Sequence, residues 1–435
     1  MNARQTILVA GDIILLYASL AFALALRTDT SLGFSDHVSP FSFLFAAWIL
    51  VFYVAGCYDI QRLKNSFSFS QLFASALAVN FVLSIAFFYL LFPLFDISPK
   101  TNLIVFFGIF AIAGYYWRSV FNMVVGRHAP SLSVVFVGKS PAALELQEAL
   151  NSYPQLGYRV SAIVSEDNWY EELEKLPAHK RAIVVLPSPL PNSSSFSHAD
   201  YARAAYASTL TTLTDFYEYI FKRVLISELS ISWLTSNIAN RRTSYEKLLR
   251  PLERLGALAL LIILSPLFIL IGVAVALTSA GGMMYQQKRI GKNGREFTLY
   301  KFRTMRADAE KDGARWSEKN DARITPLGRV LRHSHLDELP QLFNILKGEV
   351  VFVGPRPERP EFAGELAEKI PYYDIRHLVA PGITGWAQIH YRYGSSVEDA
   401  KRKLELDLFY IKHRSLLLDV RVLLRTLKLF FVAIS

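Results

Sequence analysis

The sequence predicts a multi-pass membrane protein of mixed α and α/β class, built in three parts. Residues 1–129 form a four-helix transmembrane bundle, 130–240 a Rossmann-like α/β domain, and 241–435 a monotopic domain that dips into the bilayer through a re-entrant helix at about 248–278. Three observations lead there. Of 435 residues, 52% are hydrophobic, and the first third holds four apolar runs long enough to cross a bilayer. Near residue 130 the pattern changes to short apolar strands separated by turns and an amphipathic helix. Beyond residue 250, a fifth apolar run is followed at once by a densely basic segment that opposes translocation.

The four runs lie near 6–26, 41–58, 70–92 and 102–125. Asp12 interrupts the first, and three more runs follow it, so it reads as a span rather than a cleaved signal peptide, although Arg4 and Ala23-Leu24-Ala25 imitate one. Cys57, the sole cysteine, excludes an intramolecular disulfide and any cysteine-built metal site. Arg4, Arg62, Lys64, Arg118 and Arg127 fall on one side if every run crosses, while Asp29, Asp36 and Asp96 occupy the opposite linkers. The positive-inside rule then puts both ends of the bundle in the cytoplasm.

The middle of the chain opens with LSVVFVGKSPAALELQEAL: a buried strand, a glycine turn and an amphipathic helix. YRVSAIV and KRAIVVLP read as further strands, completing a βαβ pattern. The turn offers Gly138 alone, with Lys139, Ser140 and Pro141 where a GxGxxG loop would carry more glycines, so a structural or regulatory role is expected ahead of dinucleotide binding. PSPLPNSSSFSHAD, at 187–200, reads as a surface loop.

Residues 255–278 could span, but the segment behind them, QQKRIGKNGREFTLYKFRTMR, carries seven Lys and Arg against Glu296 alone. Ser265-Pro266 sits at the centre of the run. Proline removes a backbone donor and bends a helix, and a serine hydroxyl can satisfy the carbonyl so freed. A helix that enters the cytoplasmic leaflet, breaks at Ser265-Pro266 and returns is therefore expected, the alternative being a kinked span. At the end of the chain, Arg421, Arg425 and Lys428 recur at i, i+4, i+7 among leucines and phenylalanines, as in an interfacial amphipathic helix or a core-packed terminal one.

Between these lies LRHSHLDELPQL. Pro340 placed in the first turn of a helix puts Asp337 near its N-cap, with Leu339, Leu342, Phe343 and Leu346 as an apolar stripe and Gly348 as the stop. Helix dipole and basic neighbours such as Arg332 would keep Asp337 ionised. An ionised carboxylate serves as a nucleophile toward phosphorus or a ligand for Mg²⁺, and Glu338 adds a second hard donor. Most such pairs merely cap a helix. The surplus cation around this one, with Lys301, Arg303 and Arg306 in YKFRTMR and Arg356 fixed between prolines in GPRP, implies phosphorylated substrates.

From about residue 247 onward the chain resembles the bacterial sugar transferases, polyprenyl-phosphate hexose-1-phosphate transferases. Four motifs stand in the family's order: the Ser265-Pro266 break, YQQKRIGKNGREFTLYKFRTM, LDELPQLFNILKGEVVFVGPRP and PGITGWAQI. The N-terminal parts resemble the family's long form, and GPRPERPEF with IPYYDIRHLVAPGITGWAQIHYRYGSSVEDA is most similar to members from exopolysaccharide clusters. The resemblance implies that Asp337 attacks the β-phosphorus of a UDP-sugar, giving an aspartyl phospho-sugar and UMP, and that polyprenyl phosphate then takes the sugar phosphate. Glu338 would hold Mg²⁺ or orient the acceptor, and Lys301, Arg303, Arg332 and Arg356 would bind phosphates or the uridine end. It further implies a bacterial inner-membrane protein with its catalytic domain on the cytoplasmic face; the sequence does not give the oligomeric state, and the large N-terminal addition leaves room for a homodimer. Three positions depart from the family's pattern: His335 before Leu336, Glu253 where aspartate is usual, and Thr304 where serine is common. A histidine there would make activity pH-sensitive.

Rival readings fare worse. No nucleic-acid motif accompanies the basic charge, so no nucleic-acid partner is expected. Adjacent carboxylates cannot flank a glycosidic bond, which excludes a glycosidase. His333 and His335, two apart, diverge on a helix and find no third metal ligand. The remaining alternative is an inactive membrane scaffold or nucleotide-sensing regulator.

Overall fold

The computed structural model describes residues 3–26, 34–59, 63, 65–95, 100–128, 132–176, 182–188, 198–229, 233–234, 243–279, 281–309, 311, 321–391 and 396–434. Arg62, Lys64, Asp29, Asp96 and most of the 187–200 loop lie outside these, as do the side chains of Asp36, Arg127 and Lys428. The chain divides into two compact units, the first running to Leu186 and resuming up to Thr211, the second running from Thr212 to the end.

The first unit opens with four long helices, α1 (Ala3–Ala25), α2 (Phe34–Ala55), α3 (Phe67–Phe95) and α4 (Lys100–His128). All four contain a stretch apolar and long enough to span a bilayer. Aromatics fill their core, with Trp48, Phe106 and Phe110 meeting in edge-on and tilted pairs. The charge that interrupts the first run is buried and partnered: Asp12 forms an ion pair with Arg118 and accepts a 2.7 Å hydrogen bond from Tyr58. Arg118 also donates to the Cys57 carbonyl and lies over the Phe73 ring. It thus sits inside α4, not beyond it, and contributes nothing to the flanking charge from which orientation is read.

An α/β sheet completes the unit. Strands β1 (Leu132–Val137), β2 (Tyr158–Val164), β3 (Ile183–Leu186) and β4 (Thr209–Thr212) stand in the order β2-β1-β3-β4, with β1 parallel to both neighbours. Helices α5 (Pro141–Ser152), α6 (Trp169–Lys175) and α7 (His198–Ala207) connect them. At the turn after β1, Gly138 takes φ +81° and Ser140 caps α5. The Glu166 side chain crowds this turn so closely that a Cβ on Gly138 would overlap it.

The second unit begins with α8 (Leu213–Phe221), whose Glu218 accepts bonds from Lys412 and His413 near the chain's end. Helices α9 (Thr243–Ile263) and α10 (Ser265–Thr278) follow, bent by 66° at Leu264. Pro266 has no N–H to offer the Ile262 carbonyl four residues back, and the Ser265 hydroxyl donates to that carbonyl at 2.8 Å. Both arms leave large apolar side chains uncovered, among them Leu255, Ile262, Ile263, Ile269, Leu270 and Leu277. A ribbon of β5 (Met284–Ile290) and β6 (Glu296–Phe302) comes next, paired antiparallel so that Tyr285 faces Lys301. After it stand α11 (Pro326–His333), α12 (Gln341–Lys347), β7 (Val351–Val353), α13 (Pro360–Lys369), β8 (Gly382–Thr384) and α14 (Trp386–His390). The helices α15 (Val397–His413) and α16 (Leu416–Ile434) close the chain and bury Leu404, Leu408 and Val422.

Two local features bring the motifs together. The parallel pair β7–β8 joins GPRP to PGITG: Gly354 N donates to the Thr384 carbonyl at 2.8 Å and Gly382 N to the Pro355 carbonyl at 2.9 Å. The backbones cross so tightly that a Cβ on Gly382 or Gly385 would lie 2.1 Å from Gly354 atoms. The buried Asn344 of α12 donates to the Thr298 carbonyl at 2.7 Å and accepts from Tyr300 N at 3.1 Å, fixing α12 against β6.

Candidate active site

The turn that carries the acid pair differs from the expected helix start. Leu336–Glu338 is a separate 3₁₀ turn, entered through His335 at φ +55°, and Pro340 stands at the cap of α12. The helix ends at Gly348 with φ +80°, as expected, but its buried face is Gln341, Leu342, Asn344 and Ile345, leaving Phe343 exposed. Asp337 therefore does not cap α12. It is buried between α11 and α12 at 6% exposure.

The two neighbouring carboxylates have opposite surroundings. Glu338 Oε1 accepts 2.8 Å from Lys301 Nζ and 3.1 Å from Arg356 Nη2. Burial works to raise its carboxyl, and these two cations overcome that and hold it well below the usual carboxylate range. Among the described residues none hydrogen-bonds the Asp337 carboxylate. Burial raises Asp337, helped by the Glu338 charge, against the pull of Lys301 and Arg332. The expectation of a carboxylate held firmly ionised by a helix dipole is thus corrected: with no helix start beneath it, desolvation dominates.

Each cation foreseen in the sequence finds a place. Lys301 follows Phe297 and Leu299 along one face of β6 and projects to Glu338. Arg332 donates through Nε to Thr304 Oγ1 at 2.8 Å. Arg303 leans away from the pair, donating to the Gly282 and Met284 carbonyls at 3.1 and 3.3 Å. Lys301, Arg303, Arg306, Arg332 and Arg356, with Asp337 and Glu338, line one cavity of about 1090 Å³. Leu260 and Leu264 of the bent helix and Leu423 of α16 supply an apolar wall to the same cavity. Ser265 and Pro266 make the bend that brings that wall there.

The part of the chain that carries this site resembles known proteins. A family model described as bacterial sugar transferase matches residues 244–433. The exopolysaccharide production protein PSS of Rhizobium leguminosarum is 36% identical over 183 residues, 41% of this chain and 92% of that protein. The chain belongs to the bacterial sugar transferase family. A UDP-glucose:undecaprenyl-phosphate glucose-1-phosphate transferase of Klebsiella pneumoniae is 28% identical over 403 residues, 86% of this chain and 84% of that protein. A UDP-N-acetylgalactosamine-undecaprenyl-phosphate N-acetylgalactosaminephosphotransferase of Aeromonas hydrophila is 41% identical over 211 residues. That match covers 48% of this chain and 49% of the Aeromonas protein, so the chain spans about half the length of that relative.

Two of the positions that depart from the family's pattern have defined partners in the structure. Thr304 supplies the hydroxyl that Arg332 uses, as serine would, and Glu253 Oε1 accepts from Phe352 N at 3.1 Å, tying α9 to β7. His333 and His335 line the cavity, and among the described residues no three metal-ligating side chains converge. Residues that sequence reading missed also line it, including Arg289, Arg323, Arg359, Arg376 and Lys403. Arg289, Arg359 and Arg376 stand within motifs already quoted, but their reach to the acid pair depends on tertiary packing and not on local sequence.

Proposed function

We propose that this sugar transferase moves a hexose-1-phosphate from a UDP-sugar to undecaprenyl phosphate, releasing UMP, as the first membrane step of exopolysaccharide or other surface glycan assembly. One observation carries the mechanism: Asp337 is a buried carboxylate with no hydrogen-bond partner among the described residues, beside a Glu338 already neutralised by Lys301 and Arg356. In the first step an Asp337 oxygen attacks the β-phosphorus, and the bond from that phosphorus to the bridging oxygen breaks, leaving UMP and an aspartyl phospho-sugar. In the second, a phosphate oxygen of the lipid attacks the same phosphorus. The carboxylate leaves unchanged, and the product is a polyprenyl diphospho-sugar.

Division of labour follows from the surroundings. Lys301 and Arg356 offer cations to the diphosphate where its charge redistributes, and their bond to Glu338 orients both before substrate arrives. Arg332 and Arg303 extend the cationic wall toward the leaving nucleotide. Magnesium fits such a site, since Mg²⁺ is commonly held by one or two carboxylates together with substrate phosphates rather than by an all-protein cage. Asp337 and Glu338 are the residues that would hold it, and it would neutralise diphosphate charge.

The membrane arrangement serves the lipid acceptor. The uncovered apolar arms of α9 and α10 and the 66° bend between them support a re-entrant helix in the cytoplasmic leaflet of the inner membrane. Leu260 and Leu264 then carry the apolar surface of that helix into the cavity, giving a polyprenyl chain a path to Asp337. The strand order β2-β1-β3-β4, with β1 parallel to both neighbours, supports a Rossmann-like middle domain, and the single glycine of its turn favours a structural or regulatory role there. A homodimer is compatible with this arrangement.

The test is UMP release from detergent-solubilised protein with Mg²⁺, undecaprenyl phosphate and a panel of UDP-sugars, beside Asp337→Asn. Release with one donor, dependent on lipid and abolished in the variant, is expected. Folded protein that releases no UMP from any donor would instead make the chain a membrane scaffold.

A further inference from the structure

The loop that carries Arg356 cannot hold itself in place. Pro355 and Pro357 remove the backbone donors on either side of it, so the segment must be fixed through its carbonyls. Three successive carbonyls are each taken by a donor from a different element. Gly382 N donates to Pro355 O at 2.9 Å, Arg376 Nη2 to Arg356 O at 3.1 Å, and Arg289 Nη1 to Pro357 O at 2.9 Å. Arg376, in the 3₁₀ turn Tyr373–Leu378, is the one held most firmly from behind. Its side chain is 4% exposed, it pairs with the 2%-exposed Asp407 of α15 at 2.8 Å, and its Nη1 donates to the Tyr373 hydroxyl at 2.6 Å.

We infer that Arg376 is a positioning residue for sugar-phosphate transfer: anchored by Asp407 and Tyr373, it clamps the Arg356 carbonyl and so aims the Arg356 guanidinium at Glu338 beside Asp337. The inference rests on the transfer reaction proposed above. Arg356 is half-exposed at its side chain, and its 3.1 Å bond to Glu338 is the loop's link to the acid pair. A loop with two prolines has few backbone states, so one clamped carbonyl at its middle residue settles which of them is occupied. Misplacing a charge-bearing side chain by about 1 Å is enough to slow a reaction by roughly a hundredfold.

Removing Arg376 alone would strand a buried Asp407, so the informative variant replaces both by apolar residues of similar size, Arg376→Met with Asp407→Leu. Arg376→Lys is a second variant, keeping a cation opposite Asp407 while losing the fork that serves three partners at once. Each is assayed alone and combined with Arg356→Ala, reading melting temperature, kcat and KM for the UDP-sugar. The expected result is near-wild-type melting, kcat/KM down roughly tenfold to a hundredfold, and little further loss when Arg356→Ala is added, because Arg376 acts through Arg356. Two results would overturn the inference: a folded variant with wild-type kcat/KM, or losses that multiply independently with Arg356→Ala. If the double variant does not fold, the same cycle on Arg376→Lys decides. Wild-type protein inactive toward every donor would remove the reaction itself, whereas an active wild type with independent losses would remove only the role of Arg376.

Discussion

At the scale of single residues, Asp337 and Glu338 show how two identical functional groups, one peptide apart, acquire different chemistry. Glu338 is engaged by two cations and kept ionised, while Asp337 is desolvated and left unengaged. A nucleophile must be ionised, and Asp337 gives up its proton at higher pH than a solvent-exposed aspartate. As the nucleophile proposed above, it would act at pH above that raised value and lose activity as pH falls through it. The burst of UMP formed without acceptor lipid should lose rate at a higher pH than an ordinary aspartate would give. In Glu338→Gln the like charge that helps raise Asp337 is gone and Lys301 and Arg356 lose their partner, so any residual burst should fall off at lower pH. A wild-type burst rate unchanged down to about pH 4 would contradict the raised value. The pair itself was legible in LDELP, since turn, proline and stop glycine are local. Its asymmetry was not, because it depends on Lys301 arriving from β6 and Arg356 from the loop after β7.

At the scale of elements, the bend at Leu264 was the most legible feature, since its cause is written within five residues. Pro266 withholds the donor that Ile262 needs, and Ser265 replaces it. What the bend does in a membrane is decided by where the two arms emerge. In a Cys57→Ser background, Lys247→Cys in the first turns of α9 and Lys288→Cys in β5, beyond α10, both place a thiol at an exposed position. Re-entry predicts that a membrane-impermeant maleimide added to inverted vesicles labels both and that none is labelled from the opposite face. Labelling of the two positions from opposite faces would make α9 and α10 one kinked span. Less legible was the crossing of GPRP with PGITG. The glycines could be read as turns, but their purpose is a backbone approach of 2.1 Å to any added Cβ, between segments some thirty residues apart. Asn344 was hidden for a similar reason: in sequence it merely breaks an apolar stripe, while in the fold it is the bond between α12 and β6.

For the whole molecule, the division into two units separates what stabilises the bundle from what reacts. Every residue lining the large cavity belongs to the unit from Thr212 onward, while the buried Asp12–Arg118 pair lies wholly in the other. The sequence exposed both charges but not their partnership, because α1 and α4 stand more than a hundred residues apart and each charge alone resembles a boundary marker. Within an apolar bundle, losing one member leaves the other buried and uncompensated, which costs about 3–5 kcal/mol, whereas replacing both by apolar side chains is near neutral or favourable. Arg118→Met should therefore lower the melting temperature of the full chain in detergent, and Asp12→Leu added to it should restore most of the loss. UMP release per folded molecule at a temperature below both transitions should stay at the wild-type rate throughout, since neither residue reaches the cavity. A melting temperature indifferent to Arg118→Met would mean that lipid or detergent headgroups compensate Asp12. A rate that falls in step with the single variant and recovers with the double would show that the bundle's packing is felt at Asp337, and the two units would then have to be treated as one mechanical system.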